Sequence, residues 1–399
     1  MEEVPRERRS NSAGPLAGIR VLEFTQIAAG PFAGSLFADL GADVVKIERS
    51  GTGDQMRGWP PILENEDGEE YSANFASLNR GKRSFAADLK DDADLEKVKR
   101  LCATADVIVE NFRPGVMDRI GLGYEIVSKL NPDVVFCSIS GFGQTGPQAS
   151  RGAFDVTVQA ASGLMSCTGE PDGEPVKVGV PVGDFCAGLY AAFTIMAALH
   201  EGGGAYIDCS MLGSILGIAA LQTSEYFGTG VPAGRLGSAH PRNAPYQAYR
   251  ASDGDFVVAA GTQSLWRAVC EEIDRVDLVD DPRFEDQVLR ARNQVELAEI
   301  LNAEFAKRTR SEWMEKLESR GVPCSLIKNF AEVLADEQVA HLGLIEKVEL
   351  GNGIELEALG FPVKLPGREL APLGRSPRVG ENNDDVWDEW VDEEVAVSS

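Results

Sequence analysis

Gly18-Ile19-Arg20-Val21-Leu22-Glu23-Phe24, the turn Ala28-Ala29-Gly30-Pro31 and Ala42-Asp43-Val44-Val45-Lys46-Ile47-Glu48 decide the fold class of this chain. Both seven-residue runs are short, apolar and rich in Val and Ile, as buried strands are. Between them the turn opens a helix that reaches about Leu40. A strand, one helix and a second strand make a βαβ unit, which implies a parallel sheet. The alternation continues through helix Leu95–Thr104, strand Val107–Glu110, helices Gly115–Arg119 and Tyr124–Leu130, and strand Val134–Ser138. The N-terminal region is predicted to be a doubly wound, Rossmann-like α/β domain.

Beyond it, Ala187–Leu199 is apolar on nearly all faces and reads as a buried core helix, with a second one at Leu212–Leu221. Residues 225–250 are rich in Gly, Pro and Arg and read as a long linker or flap. Strand Phe256–Ala260 and helices Leu265–Ile273, Val295–Lys307 and Arg310–Ser319 suit a smaller α+β domain. The expected partition is a disordered leader at 1–14, a large α/β domain at 15–224 and a small domain at 225–330. A C-terminal segment at 331–399 should pack back on the large domain.

Composition narrows the function. The 399 residues are 43% hydrophobic and 7% aromatic, ordinary for a soluble globular protein. A formal net charge of −25, from 63 acidic against 38 basic residues, argues against nucleic-acid binding, which needs a basic footprint. Only 12 of the basic residues are lysine, and a diffuse acidic excess of this kind suits a surface hydrated in high salt, so a halophilic protein is expected. Seven scattered cysteines without C-x-x-C, and three histidines (His200, His240, His341), give no metal-ligand spacing; buried free thiols and no metal are expected. No helical run reads as long enough to cross a bilayer, and the N-terminus lacks the apolar core of a secretory signal, so no membrane partner and a cytoplasmic location are expected. The first crossover lacks G-x-G-x-x-G, and Gly81-Lys82-Arg83 lacks the upstream glycine of a phosphate loop, which disfavours nicotinamide and nucleotide chemistry.

Asp184 stands in Val178-Gly179-Val180-Pro181-Val182-Gly183-Asp184-Phe185, a β-type run ending at the start of the apolar helix. Taken alone, an Asp at that place is most often an N-cap. Its company changes the weight. The blocks Gly18–Phe24, Gly41–Glu48, Leu78-Asn79-Arg80-Gly81-Lys82-Arg83-Ser84, Val109-Glu110-Asn111-Phe112-Arg113-Pro114-Gly115, Gly141-Phe142-Gly143-Gln144-Thr145-Gly146-Pro147, Gly169–Gly173, Gly183-Asp184, His240-Pro241 and Gly321-Val322-Pro323 occur in an order and spacing that resembles the class III CoA-transferases. That group includes formyl-CoA transferase and the carnitine CoA-transferases, and the resemblance runs from Leu16 to about Trp390.

The resemblance implies a dimer whose two chains interlock, a CoA thioester as substrate with no tightly bound cofactor, and Asp184 as the catalytic nucleophile. A carboxylate suits this chemistry because it is ionised at neutral pH and needs no general base, and amides at the helix start could serve the developing oxyanions. CoA contacts are implied at Ile27, Ala28, Ala29, Arg49, Lys90, Asn111, Phe112 and Arg119, and acyl-group contacts at Phe154 and Asp155. On residues alone Arg49, Lys90 and Arg119 are equally ordinary surface charges, Asn111 a turn residue, Phe112 core, and Asp155 a loop partner. Gly237-Ser238-Ala239-His240 matches the family's flap without the glycine run of formyl-CoA transferase; His240 also reads as a structural His-Pro turn.

The nearest rival is an α-methylacyl-CoA racemase, which needs an acid and a base on opposite faces of the α-carbon. Racemases carry a histidine where this chain has Phe154. Intramolecular transfer within one dicarboxylic acid uses the same Asp184 chemistry and stays open. So does a silent CoA-binding protein, though Gly183-Asp184 speaks against it. Halophilic composition together with the resemblance implies a succinyl-CoA donor and a dicarboxylate acceptor such as mesaconate, as in the haloarchaeal succinyl-CoA:mesaconate CoA-transferases. Arg151, Arg235 and Arg242 are candidates for its distal carboxylate.

Overall fold

The structure is a computed structural model that describes residues 14–367, 370 and 372–392. The leader expected at 1–14 lies outside the described residues except for Gly14. Two units are present: a larger one of residues up to Leu164, Lys177–Gly230 and from Ala340 on, and a smaller one of Met165–Val176 and Val231–Val339. The smaller unit thus takes a strip, 165–176, that the sequence reading left in the large domain.

In chain order the large unit carries β1 (Arg20–Phe24), α1 (Ala29–Asp39), β2 (Asp43–Arg49), a hairpin of β3 (Ile62–Glu64) and β4 (Glu70–Ser72), α2 (Ala73–Asn79), β5 (Arg83–Ala87), α3 (Asp92–Thr104) and β6 (Val107–Glu110). It continues with α4 (Val116–Arg119), α5 (Tyr124–Leu130), β7 (Val135–Ser140), α6 (Asp155–Ala161), α7 (Val182–Glu201), β8 (Ala205–Ser210), α8 (Met211–Ile218) and α9 (Ala220–Thr229). Six strands form one sheet in the order β5-β2-β1-β6-β7-β8, every pair parallel. Period-2 alternation sends Val21 of β1 into a core shared with Ala33, Phe37 and Ala191, and Leu22 into the opposite core with Leu101 and Phe136. The strand order reverses between β1 and β6, so the loops after these two strands diverge and leave a crevice at their carboxyl ends.

Helix α7 begins five residues earlier than its apolar pattern predicts, and the β-type run before it forms no strand. It is also not buried all round. Gly183, Ala187, Gly188, Ala191 and Ile195 are buried, while Phe193 is 73% and Leu189 52% exposed. At 20 residues it is long and apolar enough to cross a bilayer, so the expectation that no helix reaches that length is corrected. Its small-residue face packs against α1: at Gly188 an added Cβ would stand 2.8 Å from the Ala29 carbonyl oxygen, so α7 and α1 are in backbone contact.

From residue 340 the chain lies with the large unit. A hairpin of Ile345–Glu349 and Glu355–Leu359 is followed by Asn383–Trp387, which covers the β5 edge. The Asn383 side chain accepts from Ala86 N–H (2.8 Å) and donates to Ala86 C=O (3.0 Å), satisfying an edge that would otherwise be open. Trp390, 1% exposed, stacks under the Arg20 guanidinium and donates to Asp43.

The small unit has an antiparallel sheet of Tyr246–Ala251, Gly254–Ala259 and Cys324–Leu326 under helices Gln263–Glu272, Gln294–Phe305 and Arg310–Ser319. Its core is Trp266, Phe256, Phe305 and Trp313 around a fully buried Arg290, whose guanidinium donates to the carbonyls of Ala244, Gly261 and Phe284. The supposed linker at 225–250 is shorter than expected, since Ala220–Thr229 is helical and the sheet starts at Tyr246.

Candidate active site

Loops leaving the carboxyl ends of β1, β6, β7 and β8 enclose an open cavity of about 280 Å³ in the large unit. After β1 come Gln26, Ile27, Ala28 and Ala29; after β6, Asn111, Phe112, Arg113 and Pro114; at the end of β7, Ile139, Ser140 and Gly141. Arg151, Ala153 and Phe154 arrive ahead of α6, Asp184 from the first turn of α7, and Met211 from the start of α8. The crevice set up by the strand order is where the predicted site residues Ile27, Ala28, Ala29, Asn111, Phe112, Phe154 and Asp184 meet.

Asp184 is not the cap of its helix. Pro181 holds that place, and Asp184 is the third residue of the first turn. Asp155 does the capping: its Oδ1 accepts from the Gly183 N–H (2.8 Å), and its Oδ2 accepts from Gln159 (2.7 Å). Gly183 eases this approach, because a Cβ there would lie 3.0 Å from Asp155 Oδ1 and 3.1 Å from Ile215, and both side chains would have to give way. Asp155 therefore stands behind the cavity wall, bonded to the loop, and does not line the cavity. Two amides expected to face a reacting oxyanion are already committed, Gly183 N–H to Asp155 and Val182 N–H to the Val180 carbonyl (2.8 Å).

The Asp184 carboxylate makes no hydrogen bond or ion pair to any described residue. Burial pushes its carboxyl up to about 7, and the neighbouring Asp155 charge adds to the rise. The start of α7, with its positive dipole end, works in the other direction. Burial thus opposes the ready ionisation that the sequence leads one to expect of this carboxyl.

Asn111 lines the cavity with its amide already engaged: Oδ1 accepts from Gln26 N–H (2.8 Å) and Nδ2 donates to Gln26 C=O (2.9 Å). It holds the β1 turn, and the turn reading of the sequence accounts for these bonds. The Phe112 N–H donates to Glu110 (2.8 Å), whose carboxyl burial pushes up to about 7.

Arg49, Lys90 and Arg119 do not line the cavity. They are exposed at the end of β2, just after β5 and at the end of α4, which puts the first two at the carboxyl ends of their strands. None of the three, nor Arg113, forms an ion pair with a described residue. Of the three arginines weighed for a distal carboxylate, Arg151 lines the cavity, stacked on Phe142 and donating to Gln148 (2.8 Å). Arg235 and Arg242 belong to the small unit. So do Gly237 and His240: Gly237 has φ +59° and donates to the Gly169 carbonyl, while His240 Nδ1 accepts from the Arg242 N–H (3.0 Å), a structural turn. Within the large unit His200 and His341 do not reach the cavity.

Gln26, Ser140 and Met211 also line the cavity but carry no chemical signal in the sequence, and Arg113 lies within a motif block that assigns it no role.

The model of the family described as CoA-transferase family III matches residues 16–383. The chain is 39% identical to the succinate–glutarate CoA-transferase of Agrobacterium fabrum, over 94% of this chain and 96% of that protein. It is 37% identical to the succinyl-CoA:mesaconate CoA-transferase of Haloarcula marismortui, over 94% and 96%. Among solved structures, a CAIB/BAIF family protein from Brucella suis superposes with a TM-score of 0.83 at 36% identity, covering 95% of this chain and 100% of that one.

Proposed function

The chain belongs to CoA-transferase family III, and from that premise we propose that Asp184 is the nucleophile that carries CoA from succinyl-CoA to a five-carbon dicarboxylate, mesaconate foremost. The observation that carries this reading is the placement of an unpartnered carboxyl in a cavity at the switch point of a parallel sheet. The Asp184 carboxylate attacks the thioester carbonyl; the C–S bond breaks, CoA leaves as thiolate, and an aspartyl mixed anhydride remains. The thiolate attacks the aspartyl carbonyl and displaces the donor acid, leaving an aspartyl-CoA thioester. An acceptor carboxylate runs the two steps in reverse and restores Asp184.

Cations without acidic partners at the sheet's carboxyl ends, Arg49 and Lys90, with Arg119 and Arg113 beyond β6, suit the phosphates of CoA. Arg151, in the cavity itself, suits the distal carboxylate of the acid. Relatives named for glutarate and mesaconate support a dicarboxylate. The exposed apolar face of α7 suits cover by a second copy, as in an interlocked homodimer, and the acidic composition suits a cytoplasm rich in salt.

The test is incubation in molar KCl with succinyl-CoA and a panel of acids, following CoA esters by mass. Asp184→Asn should lose transfer by at least about 10³-fold while retaining CoA binding. Full turnover by that variant would sink the mechanism. Arg151→Gln should raise KM for dicarboxylates by about tenfold and leave monocarboxylates unaffected; product from formate or carnitine but not from dicarboxylates would overturn the substrate choice.

A further inference from the structure

Four charges are buried beneath the β1 turn: Glu23, Lys46, Asp54 and Lys82 have fully buried side chains. Lys46 pairs with Glu23 (3.2 Å) and Asp54 (3.0 Å), and Lys82 pairs with Glu23 (3.0 Å). A core of this kind gains little stability over well-packed apolar residues of the same volume, since desolvation offsets the attraction. What it supplies here is directed hydrogen bonds to one short piece of backbone. Lys46 donates to the Thr25 carbonyl (2.7 Å), and both Asp54 oxygens accept from the Ile27 N–H (3.2 and 3.3 Å). Lys82 donates to the Pro31 carbonyl (2.8 Å) in the first turn of α1.

Ile27 is where this matters. Its φ is +66°, left-handed, and a β-branched side chain is disfavoured there by its own Cβ. Among the described residues only Asp274 is also non-glycine with positive φ. Such backbone persists only when its surroundings over-determine it. The clamps do so at three consecutive positions: Lys46 on Thr25, Asn111 on Gln26 and Asp54 on Ile27. Asp54 is fixed in turn by Lys46, by the Met56 N–H (2.9 Å) and by its own N–H donated to Glu48 (2.8 Å).

We propose that Asp54, anchored by Lys46, is a positioning residue that holds Ile27 left-handed and so shapes the turn against which acyl-CoA binds. The proposal rests on the functional reading above, because it takes the cavity walled by Ile27, Ala28 and Ala29 as the CoA site. A free turn would relax toward negative φ at Ile27 and swing the Ala28 and Ala29 amides away from the crevice.

Binding of succinyl-CoA by calorimetry and steady-state kinetics on the full chain test it. Asp54→Asn, which keeps one acceptor and loses the charge, should weaken succinyl-CoA binding about 10- to 100-fold and leave KM for the acid unchanged. Ile27→Gly takes positive φ without strain, so in that background Asp54→Asn should cost less than about threefold. Where Asp54→Asn fails to fold, Ile27→Pro serves: it has no N–H to donate and cannot take positive φ, and should lose succinyl-CoA binding at temperatures well below its own melting point. An Asp54→Asn cost equally large in the Ile27→Gly background, or Ile27→Pro with parental affinity, overturns the proposal alone. A parent chain that binds no CoA ester overturns the functional reading and this proposal with it.

Discussion

Asp184 carries two opposed demands. In the proposed reaction its carboxyl must be ionised to attack a thioester, yet burial and the Asp155 charge hold it up at about 7. The rate of the first half-reaction at low acyl-CoA should therefore rise through pH 7 and level off above it. Replacing Asp155 by Asn keeps an oxygen for the Gly183 N–H and removes the like charge, so this limb should move to lower pH. A limb that stays in place would assign it to another group. The same shift affects stability with a definite sign. A carboxyl raised above its ordinary value binds its proton more tightly in the fold, so stability falls as pH rises from about 4 to about 7. Asp184→Asn should unfold later than the parent at pH 8, by about 1–3 kcal/mol once discounted for the water the open cavity admits, and equally at pH 4. Equal melting at both would remove the claim that burial strains this group.

Among the elements, α7 and α1 fix the site together. Both begin at the cavity, one with Asp184 and the other with Ala29, and their axes approach closely at Gly188. A Cβ at Gly188 would stand 2.8 Å from the Ala29 oxygen, 2.8 Å from the Phe32 ring and 3.4 Å from the Ala33 nitrogen, two of them backbone atoms that cannot step aside. Gly188→Ala should lower stability by about 1–3 kcal/mol and raise KM for acyl-CoA, because the helices separate at the end that carries the site. An unchanged melting temperature and KM would show that the pair tolerates a wider spacing.

For the molecule as a whole, the net charge of −25 opposes compaction unless salt screens it. At molar KCl the screening length drops to about 3 Å, against about 10 Å at 0.1 M. Melting temperature and transfer rate should both climb between 0.1 and 2 M KCl, and a flat profile in both would discard the halophilic reading. Leu189 and Phe193 on α7 and Leu221 and Phe227 on α9 are all more than half exposed, apolar surface that suits cover by a second copy of the chain. Sedimentation in molar KCl should give twice the chain mass, and Phe193→Glu should shift it toward the monomer.

The parallel α/β class was legible in the residues because buried strands and the helices between them have local signatures: strand Val107–Glu110 and helix Tyr124–Leu130 appear with the expected bounds, as does helix Arg310–Ser319 in the small unit. The ordered motif blocks likewise fixed the family and pointed to Asp184. Pattern could not show how α7 is covered, since periodicity reports apolarity and not what lies against it. Nor could it show that Asp155 caps the helix, that Asn111 spends its amide on Gln26, or that Asp54 holds Ile27. Each of those is a contact between residues 27 to 85 positions apart, with no repeat or spacing to announce it. The candidate nucleophile was named by the chain. Its proton affinity, and the turn it faces, were decided only when folding brought distant carboxylates and amides within hydrogen-bonding reach.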